Sequence, residues 1–398
     1  METAKFVVRE PLLDPKERLH GYELRWQGAP GADGNSMPKL VADQIDRFPE
    51  GSGFGDLRLY LHAELATLPP AVVERLNPAG TVLMTGAADL ASPEGAAAAK
   101  ALRQSGFGIA GKYAELAAQD KTLLALVSHV EIDAKAASPA SLAKLAAVLK
   151  QNAMQMVVRN VHSWDDFDQC AAGNGVNAFV GDFYFDSRPG VQAKGLNPAQ
   201  AIILQLMQLV RDNADVRKLE DVLRRDAAIS YKLLRYINSV GFGLGTEIQS
   251  LRHAVTMLGY SPLYRWLSLL LATATSSGHA PALMQTAVVR GRFVELLGQG
   301  FLPKNEAENL FVTGMFSLLD KLLGLPMDQV LESIQLSDAV SEALLSRSGM
   351  YGPFLALAEA CEQGAEPIEP LADNMFISAP HVNECQLSAL AWAQALQL

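Results

Sequence analysis

The residues of this chain that could do chemistry are few and widely spaced. Seven histidines, His20, His62, His129, His162, His253, His279 and His381, are scattered; none precedes an Asp and none has a second His four residues on. Hydrolases of the His-Asp type need such neighbours to hold a cation and activate water, so these read as isolated surface or core histidines. Asp165, Asp166 and Asp168 could face a magnesium ion, but they follow Ser163 at the start of a helical pattern. Acidic side chains in a first turn answer the helix dipole and Ser163 is a good N-cap, so capping is the preferred reading. The Gly241-Phe-Gly-Leu-Gly245 run follows a helical pattern and lacks a Gly-Lys-Ser/Thr ending, which makes it a turn between helices and not a phosphate loop. Cys170, Cys361 and Cys385 have neither disulfide nor zinc spacing.

The elements that must position such residues change character midway. Short runs rich in β-branched and aromatic residues recur at Lys5–Arg9, Tyr22–Trp26, Leu57–Leu61, Thr81–Met84, Phe107–Ala110, Val127–Ile132, Met154–Arg159 and Ala178–Phe183. Helical patterns such as Ser141–Gln151 and the Ala-rich Gly95–Ala101 lie between them. Strand, helix, strand at this spacing predicts βα units and a mainly parallel sheet. Eight strands suit a closed (β/α) barrel with trimmed helices, and an open sheet is the alternative. Ser187–Gly190 and Gly195–Pro198 bracket a turn-rich link, after which the pattern is helical almost throughout, starting at Asn197-Pro198. Helices are expected at 218–223, 227–239, 251–258, 263–274, 283–297, 305–323, 327–334, 338–346, 354–363 and 384–396. The expected architecture is an α/β domain over 1–190 and an all-α domain over 191–398.

Composition limits the function classes. The 398 residues exceed one ordinary domain, and the net charge of −10 divides evenly, −5 before and −5 after residue 190. Neither part is a basic module, and Lys218, Arg224 and Arg225 are interleaved with Glu220, Asp221 and Asp226, so no nucleic-acid partner is expected. There is no signal-peptide pattern and no 18-residue apolar run; Trp266–Ala274 is too short to span a bilayer. The expectation is a cytoplasmic chain without membrane insertion, of open oligomeric state.

Two stretches resemble known families. From Tyr236 the chain reads YINSVGFGLGTEIQSLRHAVTMLGYSPLYRWLSLLLATA, with AVVRGRFVELLG from Ala287 and FVTGMFSLLDKLLGLPMDQVLESIQLSDAVSEALLSRSGMYGPFLALAEACEQG from Phe311. Over about 198–364 this resembles the HDOD domain, a helical relative of the HD hydrolases without their metal-binding His-Asp pair. The resemblance implies signalling by protein–protein interaction. In the first part, Gly21–Trp26, Val130–Asp133, Val157–Ser163 and Phe179–Phe185 resemble, in order, strands of the EAL domain. That family is a (β/α) barrel that hydrolyses the bacterial messenger cyclic di-GMP with two metal ions.

Set against the EAL pattern, Glu23 stands for the first metal ligand, a vestigial EAL-motif position. Gln27 replaces an Arg, with Arg25 on the same strand face, and His62 stands where an Asn ligand is expected. A Glu is missing near Thr85, and the Asp pair falls on Gly111, Lys112 or Tyr113. Glu131 replaces a Lys, Arg159 a Glu and Val180 a Gln. One Glu with a Lys and an Arg among the ligand positions cannot hold two metal ions. The expectation is therefore a degenerate EAL barrel joined to an HDOD domain: not an enzyme, with no catalytic residues, metal or cofactor, acting as a bacterial signalling adaptor. Its expected partners are proteins of cyclic di-GMP circuits. The alternatives are a cyclic di-GMP receptor, with Lys112 and Arg159 meeting phosphates, and a weak phosphodiesterase with an unconventional site. An HD-type phosphohydrolase is the third.

Overall fold

A computed structural model describes residues 5–27, 34–48, 53–136, 138–172, 175–186, 188–189, 197–238, 248, 250–274, 281–334, 336–364 and 366–396. The chain divides into two compact units: Met1–Asp186 with Ala360–Glu369, and Ser187–Glu359 with Pro370–Leu398.

In the first unit eight strands close a barrel in sequence order: β1 (Val7–Leu13), β2 (Leu19–Trp26), β3 (Arg58–His62), β4 (Thr81–Met84), β5 (Gly108–Lys112), β6 (His129–Asp133), β7 (Gln155–Val161) and β8 (Ala178–Gly181). The closed alternative is thus the one observed. The βα rhythm starts only at β2, because β1 runs antiparallel to both β2 and β8. The reversal is built by Asp14, whose carboxylate accepts the backbone N–H of Lys16 at 2.8 Å and of Arg18 at 2.9 Å. The helices are α1 (Ser36–Ile45), α2 (Pro70–Val73), α3 (Ala87–Ala91), α4 (Pro93–Gln104), α5 (Tyr113–Gln119), α6 (Pro139–Gln151) and α7 (Trp164–Ala171). Two of them, α2 and α3, are single turns, which is how so short a chain closes eight strands.

Alternate strand residues point to one face. The barrel's middle is a dry cluster of Leu12, Tyr60, Val82, Met84, Ala110, Val157, Ala178 and Val180. Each buried aliphatic side chain there contributes roughly 1.5–3 kcal/mol. The segment 360–369 is fastened to the barrel strands by polar contacts. Arg9 on β1 donates to Glu362 at 2.6 Å, both side chains buried. The Gln27 amide donates to the Glu366 carbonyl at 2.5 Å and accepts from the Ile368 N–H at 2.7 Å.

The second unit is helical: α8 (Pro198–Arg211), α9 (Val216–Leu223), α10 (Ala227–Ile237), α11 (Leu251–Leu258), α12 (Tyr260–Thr273), α13 (Pro281–Gly298), α14 (Lys304–Phe316), α15 (Leu319–Leu323), α16 (Met327–Ser333), α17 (Asp338–Ser346), most of α18 (Gly352–Gln363) and α19 (Ile368–Asn374), whose residues 360–363 and 368–369 belong to the first unit, and α20 (Ala379–Ala395). Asn197 and Gln200 cap α8 reciprocally, as the Asn-Pro start suggested. The helix expected over 305–323 is broken instead: Ser317 donates to the Gly314 carbonyl at 2.6 Å and accepts from Arg290 at 2.7 Å, and the chain restarts as α15. Helices α13 and α14 approach closely because Gly291 meets Gly314, where an added Cβ would lie 2.7 Å from the Gly291 Cα. Pro380 sits in the first turn of α20 and not before it, so this helix starts five residues earlier than expected. The Gly241–Gly245 run and most of the 187–197 link lie outside the described residues. Asn238, from the HDOD-like stretch, pairs with Ile248: its amide accepts the Ile248 N–H at 2.7 Å and donates to the Ile248 carbonyl at 2.8 Å.

Removing one partner of a buried ion pair strands the other charge, typically at about 3–5 kcal/mol. Replacing Glu362→Ala is therefore expected to lower barrel stability by about 3 kcal/mol in urea unfolding, and a loss under about 1 kcal/mol would show that the Arg9 pair does not fasten the segment.

Candidate functional site

The ion cluster of the barrel lies at the C-terminal ends of β2, β3, β6 and β7, above the apolar middle. Arg159 on β7 is its centre. One guanidinium nitrogen donates to Glu23 on β2 at 2.5 Å and to Glu131 on β6 at 2.7 Å. A second lies 3.7 Å from Glu10 on β1. Glu10 in turn accepts from Arg25 at 2.9 Å, and the His62 ring lies 3.2 Å from the other Glu23 oxygen. Glu23 is 1% exposed and Glu131 is 6% exposed, whereas the His62 side chain is half exposed. Burial alone would raise the Glu23 carboxyl, but Arg159 and His62 outweigh it and hold it down to about 2. Burial wins at Glu131, whose carboxyl is raised despite the same Arg159, with the neighbouring Glu23 charge adding to the rise. Two carboxylates sharing one guanidinium thus divide unequally: Glu23 is the firm partner and Glu131 the reluctant one.

The residues singled out from the sequence fall in three places. Glu23, Arg25, His62, Glu131 and Arg159 come together as described. Lys112 stays apart from the carboxylates, at 3.0 Å from Glu115. Gln27 serves the 360–369 segment, Gly111 and Tyr113 bring no carboxylate, and Val180 belongs to the apolar cluster. Near Thr85 a carboxylate is present after all: Asp89 accepts the Thr85 hydroxyl at 2.7 Å and the backbone N–H of Leu65 at 2.6 Å, so it is engaged in holding a turn. Ser163 accepts from the Asp166 N–H at 3.1 Å, as capping requires. Two histidines expected to be isolated meet carboxylates, His62 at Glu23 and His162 at Asp182, 2.7 Å away. Glu10 was missed altogether. Its strand was anticipated, but only the hairpin register, which sets Glu10 opposite Glu23, brings it to the mouth.

A two-metal set does not fit this arrangement. Arg159 already supplies the cation that Glu23 and Glu131 face, and among the described residues no group of three His, Cys, Asp or Glu side chains is arranged to hold a metal ion.

The helical unit matches a known family: residues 196–335 correspond to the HDOD domain. With the closed barrel before it, the order expected from the sequence, a (β/α) barrel followed by a helical HDOD-type region, is the one found. The chain is 30% identical over 243 residues to the cyclic di-GMP phosphodiesterase CdgJ of Vibrio cholerae, an alignment covering 60% of this chain and 56% of that one. The chain thus spans just over half the length of that relative. YuxH of Bacillus subtilis is 23% identical over 412 residues, covering 98% of each chain. Among solved structures, the EAL domain of Mycobacterium smegmatis DcpA aligns with a TM-score of 0.35 at 14% identity, covering 45% of this chain and 90% of that one. The chain is therefore related to proteins of cyclic di-GMP signalling.

The expectation that this chain is no enzyme is overturned by its similarity to CdgJ, which is named a phosphodiesterase. The count behind that expectation was also wrong. It placed one Glu among a Lys and an Arg, whereas the mouth gathers three carboxylates, Glu10, Glu23 and Glu131, and Lys112 is engaged elsewhere. Of the expected absence of membrane insertion, the structure shows that none of the helices among the described residues is long and apolar enough to cross a membrane.

The unequal carboxylates make a testable difference. Glu23→Gln is expected to cost about 3 kcal/mol at neutral pH and Glu131→Gln about 1 kcal/mol or less, read by denaturant unfolding. Because the folded-state value of Glu23 is depressed, its contribution is complete above its ordinary value of 4.5 and is lost as pH falls toward about 2. The Glu23→Gln deficit should shrink across that window; equal deficits for both variants at every pH would refute the assignment.

Proposed function

We propose that this chain is a bacterial regulatory protein of cyclic di-GMP signalling whose output is contact with partner proteins. The observation that carries the reading is the Arg159 clamp: the buried Glu23 carboxylate is paired with Arg159 of the same chain, and its other oxygen faces the His62 ring. The HDOD match supports it, since that domain implies protein–protein interaction. Suitable partners are diguanylate cyclases, phosphodiesterases and sensor kinases acting on the same messenger. The domains proposed for the two roles are 1–190 and 191–398, and the place of action is the cytoplasm.

A second reading has its own support. The similarity to CdgJ, together with three carboxylates at the C-terminal mouth of a barrel, favours a phosphodiesterase acting on cyclic di-GMP through an unconventional site.

One experiment separates them. The gene is deleted in its source organism and complemented with the wild-type chain or with Glu23→Gln, and cellular cyclic di-GMP is measured. The contact reading predicts equal restoration by both. Failure of Glu23→Gln, with folded protein at normal abundance and wild-type turnover of cyclic di-GMP in a metal-supplemented assay, would replace it with the second reading.

A further inference from the structure

The helical unit contains a cavity of about 290 Å³. Its floor is apolar and buried, made by Val210 at the end of α8, Val312 on α14 and Val340 on α17. Its rim is polar and exposed: Arg211 and Asn213 from the end of α8 and the turn after it, Ser261 at the start of α12, and Ser337 before α17. An apolar floor with a few convergent polar groups is the ordinary form of a small-molecule site.

The hydrogen-bonding state of these groups separates wall from recognition element. Some are committed. Tyr260 donates to the Ala214 carbonyl at 2.5 Å, Ser261 donates to Glu308, and Asn309 donates to the Tyr351 hydroxyl at 3.1 Å. Others are not. Arg211 forms no ion pair, and the side chains of Asn213, Tyr264 and Ser337 form no hydrogen bond, with any described residue. Ser337 occupies the N-cap position of α17 without capping it, so its hydroxyl and the N-terminal end of that helix remain available at the rim. Asn213, which lines the same cavity as Arg211, adopts the left-handed conformation, φ 48°. The Tyr264 phenol is pushed up to about 12 by burial, against the pull of the nearby Arg211 cation, so it remains a neutral donor at any physiological pH. A second cavity of about 280 Å³ shares the Tyr264 wall and carries Glu332, so negative charge is favoured only on the Arg211 side.

We propose that this cavity is a ligand site for a small molecule carrying one acidic group, a phosphate ester or a carboxylate, on an uncharged planar body. Arg211 meets the acidic group, Ser337 and Asn213 add hydrogen bonds, and the body lies on the valine floor beside Tyr264. Such a ligand would bridge the end of α8 and the start of α17 and so place a small-molecule input in the helical unit, separate from the carboxylate cluster of the barrel.

The test is isothermal titration of the full chain with two probes, guanosine 5′-monophosphate for the phosphate ester and 4-hydroxybenzoate for the carboxylate. Saturable one-to-one binding of at least one probe is expected, weakened tenfold or more both in Arg211→Ala, which removes the cation, and in Ser337→Phe, which obstructs the rim. Both positions are exposed, so both variants should keep the wild-type melting temperature. Saturation by neither probe, or an affinity left within twofold by either substitution, would overturn the proposal.

Discussion

Everything at the barrel mouth depends on where the positive charge of Arg159 goes. A guanidinium that is only 21% exposed must be paired, because an isolated buried charge costs several kcal/mol. It is paired three ways, to strands β1, β2 and β6 from β7, so one side chain spans the opening. Around it Arg25 pairs with Glu10, and the His62 ring lies against the other oxygen of Glu23. The apolar cluster beneath can be dry and close-packed because this layer shuts it off from solvent.

The clamp also gives a physical sense to two departures from the EAL pattern that look independent in the sequence. The resemblance implies a Lys on the sixth strand and a Glu on the seventh; this chain has Glu131 and Arg159. The signs are exchanged, and in this chain the two side chains pair at 2.7 Å. A single exchange would set two like charges side by side on neighbouring strands, which the low-dielectric interior penalises. The two changes therefore make sense only together.

Much of the fold was legible in the sequence because periodicity reports which face is buried. Thr81–Met84 and Leu251–Leu258 were located to the residue, and all eight strands were found. The departures arise where tertiary contacts decide. The hairpin between β1 and β2 is set by the Asp14 turn, and the break between α14 and α15 by Ser317 taking a bond from Arg290. The site was legible as a list of residues but not as an arrangement. Glu131 and Arg159 were each seen as the loss of a family residue, and only closure of the barrel shows them facing each other and Glu23. Glu10 gave no signal, because a carboxylate on an edge-like first strand looks solvated until the register places it opposite Glu23. Likewise nothing local tells that Arg9 meets Glu362, 353 positions away.

The central claim is that Glu23 and Arg159 act as a coupled pair that organises the mouth, and a double-mutant cycle measures that coupling directly. Unfolding free energies of Glu23→Gln, Arg159→Met and the double variant are compared with the parent chain. The account predicts a coupling energy of at least about 2 kcal/mol, with the double variant more stable than the sum of the single losses allows. Additivity within about 0.5 kcal/mol would contradict it, and would mean that the two side chains are neighbours without being partners.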